Sequence, residues 1–325
     1  TVYRQSNERQ LDFDLFTGFG PNAPPGSGLF VHTENVSDLS TIGFRFEAKK
    51  LVAEPILVTY GMDFFEDHSE NTDFSLTTVR GFGPDRVTED NTPNLPNAKY
   101  RSIGAFVQGE LEITDKTRII AGTRLQRVTG ESLPTENFAL DLGDIEDGTL
   151  VGSLNLLQEI VPGFTAVGTL GRAFRAPNLV EMFFEGPTPE GSGYQQRNTD
   201  LGAETSRNLD LGLRYQNTRV SVEGFYFHNK IFDGIRIAPT GDLVDELPTF
   251  TNVNVAELLF EGFEVALGTN LTHGLGLGGS FTHVDTKDVL EPNNPISESF
   301  STKSTGWVRY DHPRGWFWVQ LEGRH

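Results

Sequence analysis

The sequence predicts an all-β chain, a transmembrane antiparallel up-and-down β-barrel, from three observations. Apolar residues recur with period two in segment after segment. Short and long links alternate between those segments without a break. The segments run about 11–13 residues, against about 5–6 for a typical globular strand and about 9–11 for a tilted strand crossing a bilayer. In a meander, that alternation gathers all short turns at one end and all long loops at the other, the build of an outer-membrane barrel. A soluble sandwich uses Greek-key crossings and mixes its connection lengths.

In chain order, strands are expected near 1–5, 40–50, 55–66, 100–113, 117–129, 149–160, 164–175, 204–215, 219–231, 255–269, 274–285, 300–311 and 316–325. The first is read as the tail of a strand, Thr1-Val2-Tyr3-Arg4, without a signal peptide. The third carries the apolar row Ile56, Val58, Tyr60, Met62 and Phe64. In the fourth, Ile103, Ala105, Val107, Gly109, Leu111 and Ile113 oppose the mostly polar Ser102, Gly104, Phe106, Gln108, Glu110 and Glu112. Segments 149–160 and 164–175 are mixed. The eighth sets Leu209, Leu211, Leu213 and Tyr215 against Asn208, Asp210, Gly212 and Arg214. Near 271–282, Leu271, Leu275, Leu277 and Phe281 oppose Thr272, Gly274, Gly276, Gly278, Ser280 and Thr282.

Short links at 51–54, 114–116, 161–163, 216–218, 271–273 and 312–315 include the turn residues Asp115-Lys116, Pro162-Gly163, Asn217 and Pro313-Arg314-Gly315. Long loops are expected at 6–39, 67–99, 130–148, 176–203, 232–250 and 286–299. Tyr60, Phe64, Phe164, Phe174, Tyr215, Tyr226, Phe227, Trp307, Tyr310, Trp316 and Trp318 fall near strand ends and suggest an interfacial girdle. Both chain ends fall inside strands and the strand count is odd, so the sequence reads as a piece of a larger barrel.

Composition agrees. The 325 residues are 37% apolar and 22% charged, with 35 Gly, 25 Phe and no Cys. The lack of Cys removes disulfides, thiolate metal sites and Cys nucleophiles. A net charge of −19 argues against a nucleic-acid partner. No apolar run reaches the roughly 18 residues of a membrane helix. No Gly-x-Ser-x-Gly elbow, HExxH pair or phosphate loop is present, so the chain does not read as an enzyme. Asp141, Asp144, Glu146 and Asp147 offer hard oxygens for Ca²⁺, but without EF-hand spacing; no metal site and no resident cofactor are assigned.

One motif pair carries a resemblance. Phe174-Arg175-Ala176-Pro177-Asn178-Leu179-Val180-Glu181 leaves a strand, and Arg197-Asn198-Thr199-Asp200-Leu201-Gly202-Ala203-Glu204-Thr205-Ser206-Arg207-Asn208 restarts the next. Together they resemble the "FRAP" box and the "N-P-x-L-x-P-E-x-S-x-N" stretch of TonB-dependent outer-membrane receptors. Val58-Thr59-Tyr60-Gly61-Met62-Asp63-Phe64-Phe65, the Asn252-Val253-Asn254 strand and Arg309-Tyr310-Asp311-His312-Pro313 are similar to further family segments. Thr199 and Ala203 stand where the family has prolines, which puts the local turn in question.

The resemblance implies that residues 1–325 are part of a plugged barrel of about 22 strands, with the plug and terminal strands elsewhere. It implies an outer-membrane location in a Gram-negative bacterium, contact with outer-membrane lipid, and a TonB energy-coupling partner acting through the plug. The cargo would be a small metal chelate: a ferric siderophore first, haem as the alternative. A passive porin-like channel and a soluble all-β module are the competing classes. Candidate ligand contacts in loop 176–203 are Arg175, Glu181, Phe183, Phe184, Tyr194, Gln195 and Arg197, aromatics and cations suited to an anionic aromatic chelate. The motif residues Phe174, Arg175, Ala176, Pro177, Asn198, Leu201, Glu204 and Asn208 have a second reading, that they shape the loop base. Residues 178–197 hold no His for haem iron, though Tyr194 offers a phenol. His32 and His68 fall in other long loops.

Overall fold

The computed structural model describes residues 1–81, 83–138, 142–188, 193–244, 247–290 and 301–325. It is one antiparallel meander. The path runs β1 (Val2–Gly18), β2 (Gly28–Ala53), β3 (Ile56–Arg80), β5 (Ala98–Thr114), β6 (Thr117–Ser132), β7 (Asp144–Val161) and β8 (Phe164–Arg175). It continues through β11 (Glu204–Gln216), β12 (Val220–Val244), β13 (Leu247–Asn270), β14 (Leu275–Asp288), β15 (Thr302–Asp311) and β16 (Trp318–Arg324). Each expected strand has a counterpart on this path. Three short pieces lie off it: β4 (Arg86–Asp90) on β3, and β9 (Gly186–Pro187) with β10 (Tyr194–Gln196) inside the 176–203 insert. No helix among the described residues is long and apolar enough to cross a membrane; the strands do so.

The burial pattern is inverted relative to a soluble protein. Leu125, Leu150, Leu170, Leu211 and Val308 are all more than half-exposed or at half, on the alternation read from sequence as apolar. Such rows stay in contact only with lipid. The opposite face carries polar rungs, such as Arg124, whose guanidinium grips the Asp63 carboxylate with two bonds of 2.7 Å. On this lumen face aromatic rings also lie across glycines in register: Tyr3 on Gly43, Phe106 on Gly61, Phe225 on Gly212 and Trp307 on Gly278. A Cβ at any of these four would strike the ring, so the glycine makes room for the aromatic.

The girdle expectation therefore needs correction. Tyr60, Tyr215, Tyr226 and Tyr310 share the lipid-facing alternation, whereas Phe227 and Trp307 lie on the lumen face, against Gly262 and Gly278.

The expected long loops need a larger correction. Most of 6–39, 67–80 and 232–250 is strand, and His32 and His68 lie in it. β2 runs 26 residues and β3 runs 25. At about 3.3 Å per residue such strands far outreach a bilayer crossing of about 9–11 residues. The hairpins thus stand above the membrane as ribbons with polar residues on both faces, the inner one packed at Asn71 against Pro96 and Asn97. Side-chain rungs between directly opposed residues hold them: Asn35 to Asp73 (2.7 Å), Ser37 to Asn71 (2.7 Å) and Thr41 to Asp67 (2.6 Å). With both faces polar there is no apolar alternation to read. The short turns lie as expected; in Pro162-Gly163, Gly163 has φ +80°, a conformation that suits glycine.

Candidate functional site: a chamber under the folded insert

The 176–203 insert folds inward over the lumen. Pro177 cannot extend the ladder, and β8–β11 pairing ends at Arg175 opposite Glu204. Asn178 then caps the short helix α1 (Leu179–Phe183). Its Oδ1 accepts from the Glu181 N–H at 2.9 Å, and Glu181 Oε2 accepts from the Asn178 N–H at 2.9 Å, a complete capping box.

Apolar packing seats the helix. Met182, Phe183 and Leu201 are buried with Ala98, flanked by Leu95, Leu142, Ile145, Leu179 and Ile235. Phe183, expected as a ligand contact, is 0% exposed and belongs to this core. An aromatic in a Gly- and Pro-rich segment had an interior to fill once 91–97 folded beneath it.

Polar bonds tie the insert to walls on both sides. The Glu185 N–H donates to Asn94 O (2.8 Å), and the Asn94 N–H donates to Asp73 of β3. On the far side the Asn252 amide of β13 donates to Glu181 O (2.9 Å), and Asn198 Nδ2 donates to Asn252 O (2.8 Å). Asn254 exchanges two bonds with Gly202. The Ala203 N–H reaches Asp147 of β7 at 2.8 Å, a bond proline could not donate, so this departure from the family pattern gains an anchor.

Arg175 sits at the root. Its Nε donates to Glu204 Oε2 (2.6 Å) and its Nη1 to both Glu181 oxygens (3.0 and 2.9 Å). Glu204 Oε1 in turn accepts from the Ile235 N–H (2.7 Å). Arg197 pairs with Glu185 and stacks 5.5 Å over the Phe138 ring, while Tyr194 Oη donates to Glu185 at 3.3 Å. Both arginines expected to meet an anionic ligand are thus matched by carboxylates of the insert. Phe184 is half-buried at the helix end. Phe174 lies on the lipid-facing alternation opposite Thr205, and Ala176 is half-buried beside buried Pro177. Asn208 stands on the lumen face opposite Asn229, and both Oδ1 atoms are buried without a hydrogen-bond partner among the described residues.

Between insert and wall lies a chamber of about 1090 Å³. Asp67, Ser69 and Tyr100 line one side, Arg236 and Asn252 the other, and α1 presents Asn178 and Glu181. Of the expected contacts only Glu181 and Gln195 reach it; Arg175, Phe184, Tyr194 and Arg197 do not line it. Asn252 was within reach of sequence reading, since it stands in the Asn252-Val253-Asn254 motif. Tyr100, Asp67 and Ser69 carry no local signal. The Ca²⁺ candidates are engaged otherwise: Glu146 pairs with Arg127 (2.6 Å), Asp147 holds Ala203, and Asp141 lies outside the described residues. No group of three metal-ligating side chains occurs among the described residues.

Comparison with known proteins places this geometry. The model of the family "TonB dependent receptor-like, beta-barrel" matches residues 1–324. The probable TonB-dependent siderophore receptor PirA of Acinetobacter baumannii is 26% identical over 297 residues, covering 80% of this chain and 36% of the relative. The ferrienterobactin receptor of Escherichia coli (strain K12) is 28% identical over 232 residues, covering 67% and 29%. The chain therefore spans about a third of the length of these relatives. Among solved structures, the copper transporter OprC superposes with a TM-score of 0.65 at 16% identity, over 99% of this chain and 47% of that one, a likeness of fold.

Proposed function

The chain belongs to the family of TonB-dependent receptor β-barrels, and from that membership we propose that it is wall and mouth of an outer-membrane receptor that imports a ferric siderophore. The barrel wall crosses the bacterial outer membrane. The receptor is a transporter rather than an enzyme.

The single observation that carries the reading is the chamber between the 176–203 insert and the barrel wall at the long-loop end. Beside the charged Asp67, Glu181 and Arg236, the lining mixes aliphatic surfaces with the Tyr100 hydroxyl and the amides of Asn178, Gln195 and Asn252. Those groups hydrogen-bond to an oxygen-rich chelate while the aliphatic side chains exclude water from it, the usual make-up of a small-molecule site. The lining residues include no histidine, which favours a siderophore over haem. The names of the relatives, siderophore and ferrienterobactin receptors, agree.

Residues 1–325 then form part of a plugged barrel. The unpartnered Asn208 and Asn229 oxygens on the lumen wall support a polar surface packed against it, the position of a plug that couples to TonB. Growth of a receptor-deletion strain carrying the complete gene, fed single ferric siderophores or haem as sole iron source, tests the proposal. Rescue by a siderophore that requires TonB and weakens in Gln195→Ala is expected. Rescue by haem alone, or uptake without TonB, would sink it.

A further inference from the structure

The charged groups at the chamber do not balance. Arg236 of β12 lines it, but its guanidinium is held at 2.6 Å by Asp288, whose side chain is fully buried. Arg175, at the root of the insert, serves two carboxylates at once, Glu181 and Glu204. The Asp67 carboxylate of β3 accepts from the Thr41 hydroxyl at 2.6 Å and forms no ion pair among the described residues. Two guanidiniums thus meet four carboxylates. The segments outside the described residues contain Asp and Glu but neither Lys nor Arg, so they bring no cation to the balance.

The Tyr100 phenol reports the resulting field. It stands opposite Asp67 in the β3–β5 register, where the outward face has turned polar at Glu66 and Arg101, above the hydrocarbon band. Burial first, then the Asp67 charge, hold its pKa above the ordinary 10.0; Asp147 and Glu181 add to this, and Arg175 opposes it. An anion brought to the chamber therefore meets net repulsion. Tyr100 is also the one aromatic side chain among the described lining residues, because Phe183 is taken up by the core of the insert. A chelate of flat aromatic donors finds little to stack on.

Ferric iron held by three catecholates is a trianion, because each catecholate brings two negative charges. Held by three hydroxamates, which bring one each, it is neutral. On the reading that the chamber receives a ferric siderophore, we infer that it takes the hydroxamate class, neutral or carrying a cationic arm, and that Asp67 is the residue that sets this selection. The Gln195 amide and the Tyr100 hydroxyl donate to oxygens at the rim of the chelate, and an ammonium arm pairs with Asp67. A trianion gains the same hydrogen bonds but is rejected by the unmatched carboxylate, a discrimination made by repulsion.

The test is equilibrium binding by the complete receptor in a non-ionic detergent. The probes are ferrichrome, a neutral trishydroxamate; ferrioxamine B, a trishydroxamate with an ammonium arm; and ferric enterobactin, a triscatecholate trianion. A trishydroxamate should bind more tightly than the trianion. Asp67→Asn, which keeps an oxygen for Thr41, should raise affinity for the trianion about tenfold and lower that for ferrioxamine B about twofold. These are the Coulomb effects of three charges and of one at about 10 Å from the carboxylate in a water-like medium. Asp67→Glu should keep the wild-type order. Tighter wild-type binding of the triscatecholate, or an unchanged ratio of trianion to trishydroxamate affinity in Asp67→Asn, would overturn the charge selection and leave the siderophore reading standing. Failure to bind either trishydroxamate would overturn it likewise; the siderophore reading falls separately, on growth rescued by haem alone.

Discussion

Replacing Arg175 by alanine separates the two readings of the family motif, anchor or ligand contact. The guanidinium makes three bonds to two carboxylates, Glu204 and Glu181, whose side chains are 15% and 21% exposed while its own is 45% exposed. A hydrogen bond to a charged group is worth about 1.5–3 kcal/mol when sheltered, and a solvent-exposed pair about 0–1. With the cation nearly half in water, each pair is discounted to about 1 kcal/mol, so Arg175→Ala should loosen the insert by about 2 kcal/mol. That is about 30-fold in a local opening equilibrium. Hydrogen exchange of the detergent-solubilised receptor reads this directly. Amides of Met182, Phe184 and Asn198, all bonded within the insert, should exchange about 30-fold faster, and so should Ile235, which leans on Glu204. Leu211, in the ladder below, should not change. Arg175→Lys keeps the charge but loses the fork, and should recover about half the protection. If Arg175→Ala leaves exchange unchanged yet lowers ligand affinity, the anchor reasoning is wrong and the side chain meets cargo.

Three further outcomes follow from other parts of the structure. Phe183→Ala removes a wholly buried ring and should cost about 3–5 kcal/mol of insert stability, seen as proteolytic nicking of 176–203 at lower urea than wild type; wild-type resistance would refute the core assignment. Gly212→Ala drives a Cβ into the Phe225 ring and should cost about 1–3 kcal/mol, read as a lower temperature for loss of strand signal, whereas Gly323→Ala, which meets nothing, should be neutral. His32 lies in the ribbon above the membrane, and its hydrogen bond to Asp14 (2.9 Å) holds its pKa above the ordinary 6.5, helped by the charges of Asp14, Asp12 and Glu34 and opposed by desolvation. Because the folded value is the raised one, this tie is at full strength below about pH 6.5 and fades as pH rises through the raised value. Protection factors of the amides at 12–16 and 30–34, taken relative to intrinsic exchange at each pH, should fall across that window, and His32→Gln should abolish the fall; pH-independent wild-type protection would contradict it.

What the sequence made legible follows from where lipid constrains it. Through Tyr60, Val107, Leu125 and Leu211 the membrane demands an apolar side chain at every second position, and period two betrays both strand and face. Above the membrane that demand lapses. Asn35, Ser37 and Thr41 pair with Asp73, Asn71 and Asp67 by register alone, and the same residue types elsewhere make turns, so composition misled. Parity alone would have placed Trp307 in the lumen, since Val308 and Tyr310 are lipid-facing; counting aromatics near strand ends discarded that information.

The insert shows a different limit. Asn178 and Glu181, three apart behind a proline, are a readable helix start, and the capping box is there. The fate of Phe183 is not written in its neighbours, because it depends on Leu95 and Ala98 arriving from another hairpin some eighty residues earlier. The same distance hides the chamber. Asp67 and Asn252 face one cavity only because the sheet curves far enough, over the strands between β3 and β13, for one insert to bond to both walls. The insert therefore has two jobs: Arg175, Phe183 and Asn198 hold it in place and the Gln195 side chain presents its chamber face, while Asn178 and Glu181 do both, lining the chamber and closing the capping box and the Arg175 ion pair. Substitutions at Arg175, Phe183 and Asn198 should alter exchange before they alter affinity, and those at Gln195, whose backbone pairs with Phe250 of β13 but whose side chain lines the chamber, should alter affinity alone.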